Sequence, residues 1–187
     1  ERFEKTICSY TSSNYSVLTN SATSALHISC LALGLSEGDI LWTSPNSYVA
    51  SANVGLLCNA EVDFVDIDSE TYNMCSTALS MKLRDAEKNG KLPKIVMPVH
   101  FAGQSCDMVN IKKLSEKYGF KIIEDASHAI GGTYKNTKIG SCKFSDITVF
   151  SFHPVKIITT AEGGCAITND ENIFEKLKLL SSHGVTR

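Results

Sequence analysis

The 187-residue chain has no C-x-x-C pair, no G-x-G-x-x-G, no G-x-x-x-x-G-K-[ST] and no apolar run long enough to cross a membrane. Each absence removes a class of function. Without paired cysteines at metal or redox spacing, neither a zinc site nor a thioredoxin-type motif is indicated, and no metal is expected. Without the glycine fingerprints, the usual dinucleotide and P-loop phosphate sites lose support. Without an apolar run there is no membrane span to expect, and no secretory leader is visible. No sign of charge dominates: the net charge is −2, so there is no basic footprint for nucleic acid. Only four prolines are present, and no low-complexity tract, repeat or linker divides the chain, so one folded unit is expected.

What is present is an ordinary globular composition, 43% hydrophobic and 20% charged, enough to bury a core. The seven cysteines are scattered, most among apolar neighbours, and read as free thiols. A reducing cytoplasm is the expected compartment. The chain opens at ERFEK, inside a helical pattern, and closes at SSHGVTR directly after one. The expectation is a piece of a longer polypeptide.

Hydrophobic periodicity alternates between helix and strand. Residues 21–34 form a helical pattern begun by the capping residues Asn20 and Ser21 and stopped at Gly34. Strands are predicted at 39–43, 61–66, 93–99, 120–124, 147–152 and 164–168, and further helices at 46–58, 76–89, 108–118 and 171–182. Repeated strand–helix units predict an α/β fold, a mostly parallel sheet with helices on both faces. In such sheets ligands bind beyond the carboxyl ends of the strands, so the residues just after each strand are the place to look.

Four segments stand there. NSATSALH at 20–27 presents small and hydroxyl residues at a helix start, where free N–H groups and the helix dipole favour an anion such as phosphate; taken alone it reads as a plain N-cap. TSPNSYVA at 43–50 places Tyr48 after a strand and at a helix start, able to lie on a planar ligand or to pack in the core. IIEDASHAIGG at 122–132 ends an apolar strand on Asp125, a costly place for an unpartnered carboxylate, with His128 three residues on. FSFHPVKIITTAEGG at 150–164 holds Ser151 at a strand end and then Lys156, with no charged residue within five positions on either side. Such an amine is either snorkelling to water or available as a nucleophile. Together, an anion cradle, a flat aromatic, a strand-end carboxylate and an isolated lysine are the parts that hold pyridoxal 5'-phosphate.

In order and spacing these four segments resemble the DegT-type sugar aminotransferases, fold-type I pyridoxal phosphate enzymes that act on nucleotide-linked keto sugars, and the resemblance runs through essentially the whole chain. VHFAGQSCDM at 99–108 and DSETYNM at 68–74 are most similar to the pseudaminic acid branch. The resemblance implies a three-layer αβα large domain over 1–187. It implies Lys156 as the Schiff-base lysine and proton carrier, and Asp125 as the partner of the pyridine nitrogen. Thr23, Ser24 and Ser151 would hold the phosphate, Tyr48 would stack on the ring and His128 would stand close to it. Glu162 and His183–Gly184 match segments near the substrate and the subunit contact. Further implied are a nucleotide-sugar substrate, L-glutamate as amino donor, and a homodimer with neither nucleic acid nor membrane as partner. The implied reaction is amination at C4 of UDP-2-acetamido-2,6-dideoxy-β-L-arabino-hex-4-ulose, with other 4-keto sugars, as in bacillosamine or perosamine synthesis, or a non-catalytic regulatory role as alternatives. The family's N-terminal arm, small domain and a phosphate-contacting asparagine beyond Arg187 have no counterpart in 1–187, so these residues alone are expected to retain cofactor weakly. Finally, Ala161 stands where many relatives have glycine, a mild change unless the position requires a positive φ.

Overall fold

A computed structural model describes residues 1–185. In chain order the elements are α1 (Arg2–Thr11), β1 (Tyr15–Thr19), α2 (Ala22–Ala32), β2 (Ile40–Thr43), α3 (Ala50–Leu57), β3 (Glu61–Phe64), α4 (Ser76–Lys88), β4 (Ile95–Met97), α5 (Met108–Tyr118), β5 (Lys121–Asp125), the hairpin β6 (Thr133–Tyr134) and β7 (Thr137–Lys138), β8 (Ile147–Ser151), β9 (Gly164–Thr168) and α6 (Glu171–Ser181). Seven strands form one sheet in the order β1-β9-β8-β5-β4-β2-β3. The pairs from β8 through β3 are parallel. β9 runs antiparallel to both its neighbours, which gives β1 the same sense as the parallel set.

Consecutive residues of a strand face opposite sides, and the apolar residues here serve both. Leu41, Ile95, Met97, Ile123, Ile147 and Val149 pack with α2, α3 and α6 on one face. Trp42, Val96 and Ile122 pack with α4 and α5 on the other, and Phe150 and Ile167 join Ile7 of α1. This is the three-layer αβα architecture expected from the alternation. All seven cysteines are free, five of them buried.

Two features were not in the sequence reading. β1 is an edge strand with little alternation, whose ladder partner among the described residues, β9, lies 145 or more positions further along the chain. The β6–β7 hairpin is two residues a side, too short to show a period. The helix expected from residue 46 starts at Ala50, because 44–49 is spent on the loop that carries Tyr48 to the strand ends.

The topology brings the ends of β1, β2, β4, β5 and β8 to one edge of the sheet, together with the beginning of the reversed strand β9. All four segments singled out above open onto that edge.

Candidate active site

At this edge lies a cavity of about 560 Å³. Its lining includes Ser21, Ala22 and Thr23 from the start of α2, Tyr48 from the loop after β2, and Asp125, His128, Ser151, Lys156 and Glu162. Asp125 and Lys156, on different strands' connections, therefore face one space rather than opposite sides of the sheet.

The start of α2 is a capped helix N-terminus that opens onto the cavity. Ser21 is the N-cap and its hydroxyl accepts from the Ser24 N–H, leaving the first-turn N–H groups of Ala22 and Thr23 at the cavity. Gly164 explains the approach: a Cβ there would lie 2.4 Å from Ala22 N and from Ser21 C and O, so only glycine lets β9 run beneath this turn. Ser24 is the exception among the expected phosphate residues. Its hydroxyl lies 2.6 Å from Asn20 Oδ1 and 3.0 Å from Ser21 Oγ, within the cap, and it is not among the residues lining the cavity. Ser151 lines the cavity from the end of β8 and is buried.

Asp125 is only 4% exposed, and three donors meet its carboxylate: Ser51 Oγ at 2.8 Å, Ser127 Oγ at 2.6 Å and Ser127 N at 3.2 Å. Ser47 continues the chain, 2.7 Å from Ser51 Oγ. The D-x-S pattern of an Asx turn could have pointed to Ser127. Ser51 arrives from α3, and no local pattern announces it.

Tyr48 is 77% exposed, so the core-packing alternative does not hold; its ring stands at the cavity mouth. Lys156 lies in the turn that follows β8, its N–H donating to His153 O at 2.9 Å. Its Nζ is 2.5 Å from His128 Nε2. Burial lowers the His128 pKa and the Lys156 charge lowers it further, with Asp125 opposing. The ring is thus the acceptor and Lys156 the donor. Below the ordinary histidine range both would be charged and the contact would be lost, so it persists at higher pH and fails as pH falls. We expect an NMR titration of His128 to show a midpoint below about 6.5. Lys156→Ala should move that midpoint upward; a midpoint unchanged by the substitution would contradict the contact.

Glu162 lines the cavity, its carboxylate 3.9 Å from His153 Nε2. His183 and Gly184 follow the end of α6 and take no part in the lining. The loop between Lys156 and β9 is tied down by Thr159 Oγ1 to Phe152 O (2.9 Å), Thr160 N to Phe152 O (3.0 Å) and Ala161 N to Thr159 Oγ1 (3.0 Å). These bonds hold Ala161 at φ 65°, so the alanine is strained where a glycine would not be. Ala161→Gly is expected to raise stability by about 1 kcal/mol, since the left-handed strain exceeds glycine's entropic cost. Denaturant unfolding measures it, and a loss of stability would refute the strain.

Comparison with known proteins gives a consistent picture. The sequence model of the DegT/DnrJ/EryC1/StrS aminotransferase family matches residues 1–187. The chain is 41% identical over 186 residues to the UDP-4-amino-4,6-dideoxy-N-acetyl-β-L-altrosamine transaminase of Campylobacter jejuni, covering 99% of this chain and 47% of that protein. It superposes on Helicobacter pylori PseC, an aminotransferase involved in the biosynthesis of pseudaminic acid, with TM-score 0.88 and 34% identity, over 100% of this chain and 48% of that one. NtdA from Bacillus subtilis, solved with bound cofactor PMP, gives TM-score 0.85 and 31% identity, over 95% and 38%. The chain thus spans about half the length of the curated relatives it matches.

Proposed function

Because the chain belongs to the DegT/DnrJ/EryC1/StrS aminotransferase family, we propose that its cavity holds pyridoxal 5'-phosphate in the large domain of an enzyme that moves an amino group from glutamate to a nucleotide-linked 4-keto-6-deoxy sugar. The observation that carries this is the meeting of Asp125, Lys156 and the α2 N-terminus around one cavity. The residues suit the cofactor: the N–H groups of Ala22 and Thr23, with the hydroxyls of Thr23 and Ser151, would take the phosphate. Asp125, held by Ser51 and Ser127, would face the ring nitrogen, and Tyr48 would lie against the ring. When bound, the cofactor supplies an aldehyde that exchanges amines and a ring that accepts the electron pair left by a departing proton. Lys156 would hold the cofactor at that aldehyde, and its Nζ would carry protons between donor, acceptor and water. His128 holds the Lys156 amine in place through its Nε2.

For the sugar, we propose the UDP-linked N-acetyl 4-keto sugar that leads to the product named for the Campylobacter relative, on the strength of that similarity and of the VHFAGQSCDM stretch. The whole protein would act as a cytoplasmic homodimer. The test is the full-length gene product with pyridoxal 5'-phosphate, glutamate and a panel of UDP- and GDP-4-keto-6-deoxy sugars, following 2-oxoglutarate. Release with the UDP N-acetyl sugar supports the reading. Release only with a GDP sugar moves it to perosamine-type chemistry, cofactor binding without turnover to a regulatory member, and absence of binding refutes it.

A further inference from the structure

Beside the cavity lies a buried polar cluster that the proposed chemistry does not use. His100, 1% exposed, follows β4, and Glu124, 5% exposed, precedes Asp125 on β5. The His100 main-chain N–H donates to Asp125 O at 3.0 Å, and its ring Nε2 lies 2.7 Å from Glu124 Oε2. One residue therefore grips two consecutive positions of β5, the main chain of 125 and the side chain of 124. The other oxygen of Glu124 accepts from Ser145 Oγ and from Thr148 Oγ1, the latter at 3.2 Å. On the far side of the ring, Nδ1 accepts from the Cys106 N–H at 3.2 Å, and Cys106 Sγ donates to Val99 O at 3.1 Å. His100 itself lines the cavity, beside Phe101.

The proton count follows from these bonds. Burial opposes charge on both groups; hydrogen bonding to His100 nevertheless holds Glu124 below the usual carboxylate range, and Cys106 and Glu124 draw the imidazole up to about 10, toward the charged ring. Against this stands the hydrogen-bond geometry: the backbone N–H of Cys106 aimed at Nδ1 needs a lone pair there, which leaves the ring a single proton, on Nε2, donated to Glu124. The cluster then carries one net negative charge on the strand position next to Asp125. Burying a carboxylate this deeply is expensive, and a well-packed apolar pair would serve the core as well.

We propose that His100 and Glu124 are positioning residues for Asp125: the neutral His100 ring fixes the end of β5 so that Asp125 faces the cavity, and the Glu124 carboxylate adds to the negative field that Asp125 presents there. This rests on the reading of the cavity as a pyridoxal phosphate site. The test uses full-length protein and two probes, pyridoxal 5'-phosphate and its 1-deaza analogue, in which carbon replaces the ring nitrogen. His100→Leu and Glu124→Gln are expected to weaken binding of the first by about tenfold and to leave the second unchanged. Adding Asp125→Asn to Glu124→Gln should cost little more than Asp125→Asn alone. His100→Gln, which places a neutral N–H donor where Nε2 stands, should restore affinity. Equal losses with both probes would reduce the pair to a structural role, and no loss would remove it altogether. Should the variants not fold, ¹⁵N NMR of the wild-type histidines decides: a neutral Nε2–H ring at His100 supports the proposal and a doubly protonated ring overturns it. A wild type that binds neither probe fails the cofactor reading itself, a result distinct from any of these.

Discussion

Replacing Lys156 with alanine is expected to leave a folded protein that still takes up pyridoxal 5'-phosphate and turns over almost nothing. The side chain stands half-buried in a surface turn between exposed Val155 and Ile157, and among the described residues its side-chain hydrogen bond is to His128. No core contact is lost, so stability should change by about 0.5 kcal/mol or less. The phosphate cradle, Asp125 and Tyr48 are untouched, so non-covalent retention persists. On the proposed function, what would disappear is the amine that carries protons, a contribution of about 10²–10⁴-fold, together with the covalent anchor. Lys156→Arg should fare no better, because a guanidinium remains protonated and cannot accept a proton. Small primary amines added to Lys156→Ala should recover part of the rate. Single-turnover release of 2-oxoglutarate measures each, with the visible absorbance of bound cofactor as the control for binding. Wild-type rates in Lys156→Ala would refute its assigned role.

The parts of this site that were legible in the sequence are those whose local pattern is itself the signal. Asp125 ends the apolar run of β5, Lys156 stands in a stretch free of charge, and α2 announces itself by Asn20 and Ser21. The parallel sheet was legible for the same reason, since Leu41, Val96, Ile122 and Ile123 lie in short apolar runs set between helical patterns. Hidden from the sequence were relations across the fold. Ser51 reaches Asp125 across 74 positions and His100 reaches Glu124 across 24. β1 shows little alternation because its outer edge is unpaired and just Ser16 and Val17 of its five residues are buried. Ser24 shows the limit from the other direction: a hydroxyl in the right segment is drawn into the cap by Asn20 and Ser21. Ala161 was read conditionally, and its φ of 65° settles the condition toward strain.

Two substitutions at Asp125 should separate structure from chemistry. Asp125→Asn keeps one oxygen to accept from the Ser127 hydroxyl and N–H, and its amide can donate to the Ser51 hydroxyl, which turns its own proton to Ser47, so the fold should be retained. It removes the negative charge that would face the ring nitrogen. Loss of a preorganised electrostatic partner of this kind costs about 10²–10³-fold in kcat, and we expect that loss with Asn. Asp125→Ala should show the same catalytic defect and a second one. With the carboxylate gone, the buried Ser51 hydroxyl and the Ser127 N–H and hydroxyl lose their acceptor, at a cost of about 1–3 kcal/mol in unfolding free energy. Calorimetry of the cofactor-free proteins reads the stability difference and glutamate half-reaction kinetics the catalytic one. The sign pattern is the decisive feature: Asn and Ala alike in rate and unlike in stability. An Asn variant with wild-type kcat would mean that the ring nitrogen needs no anion, and the assignment of Asp125 would fall with it.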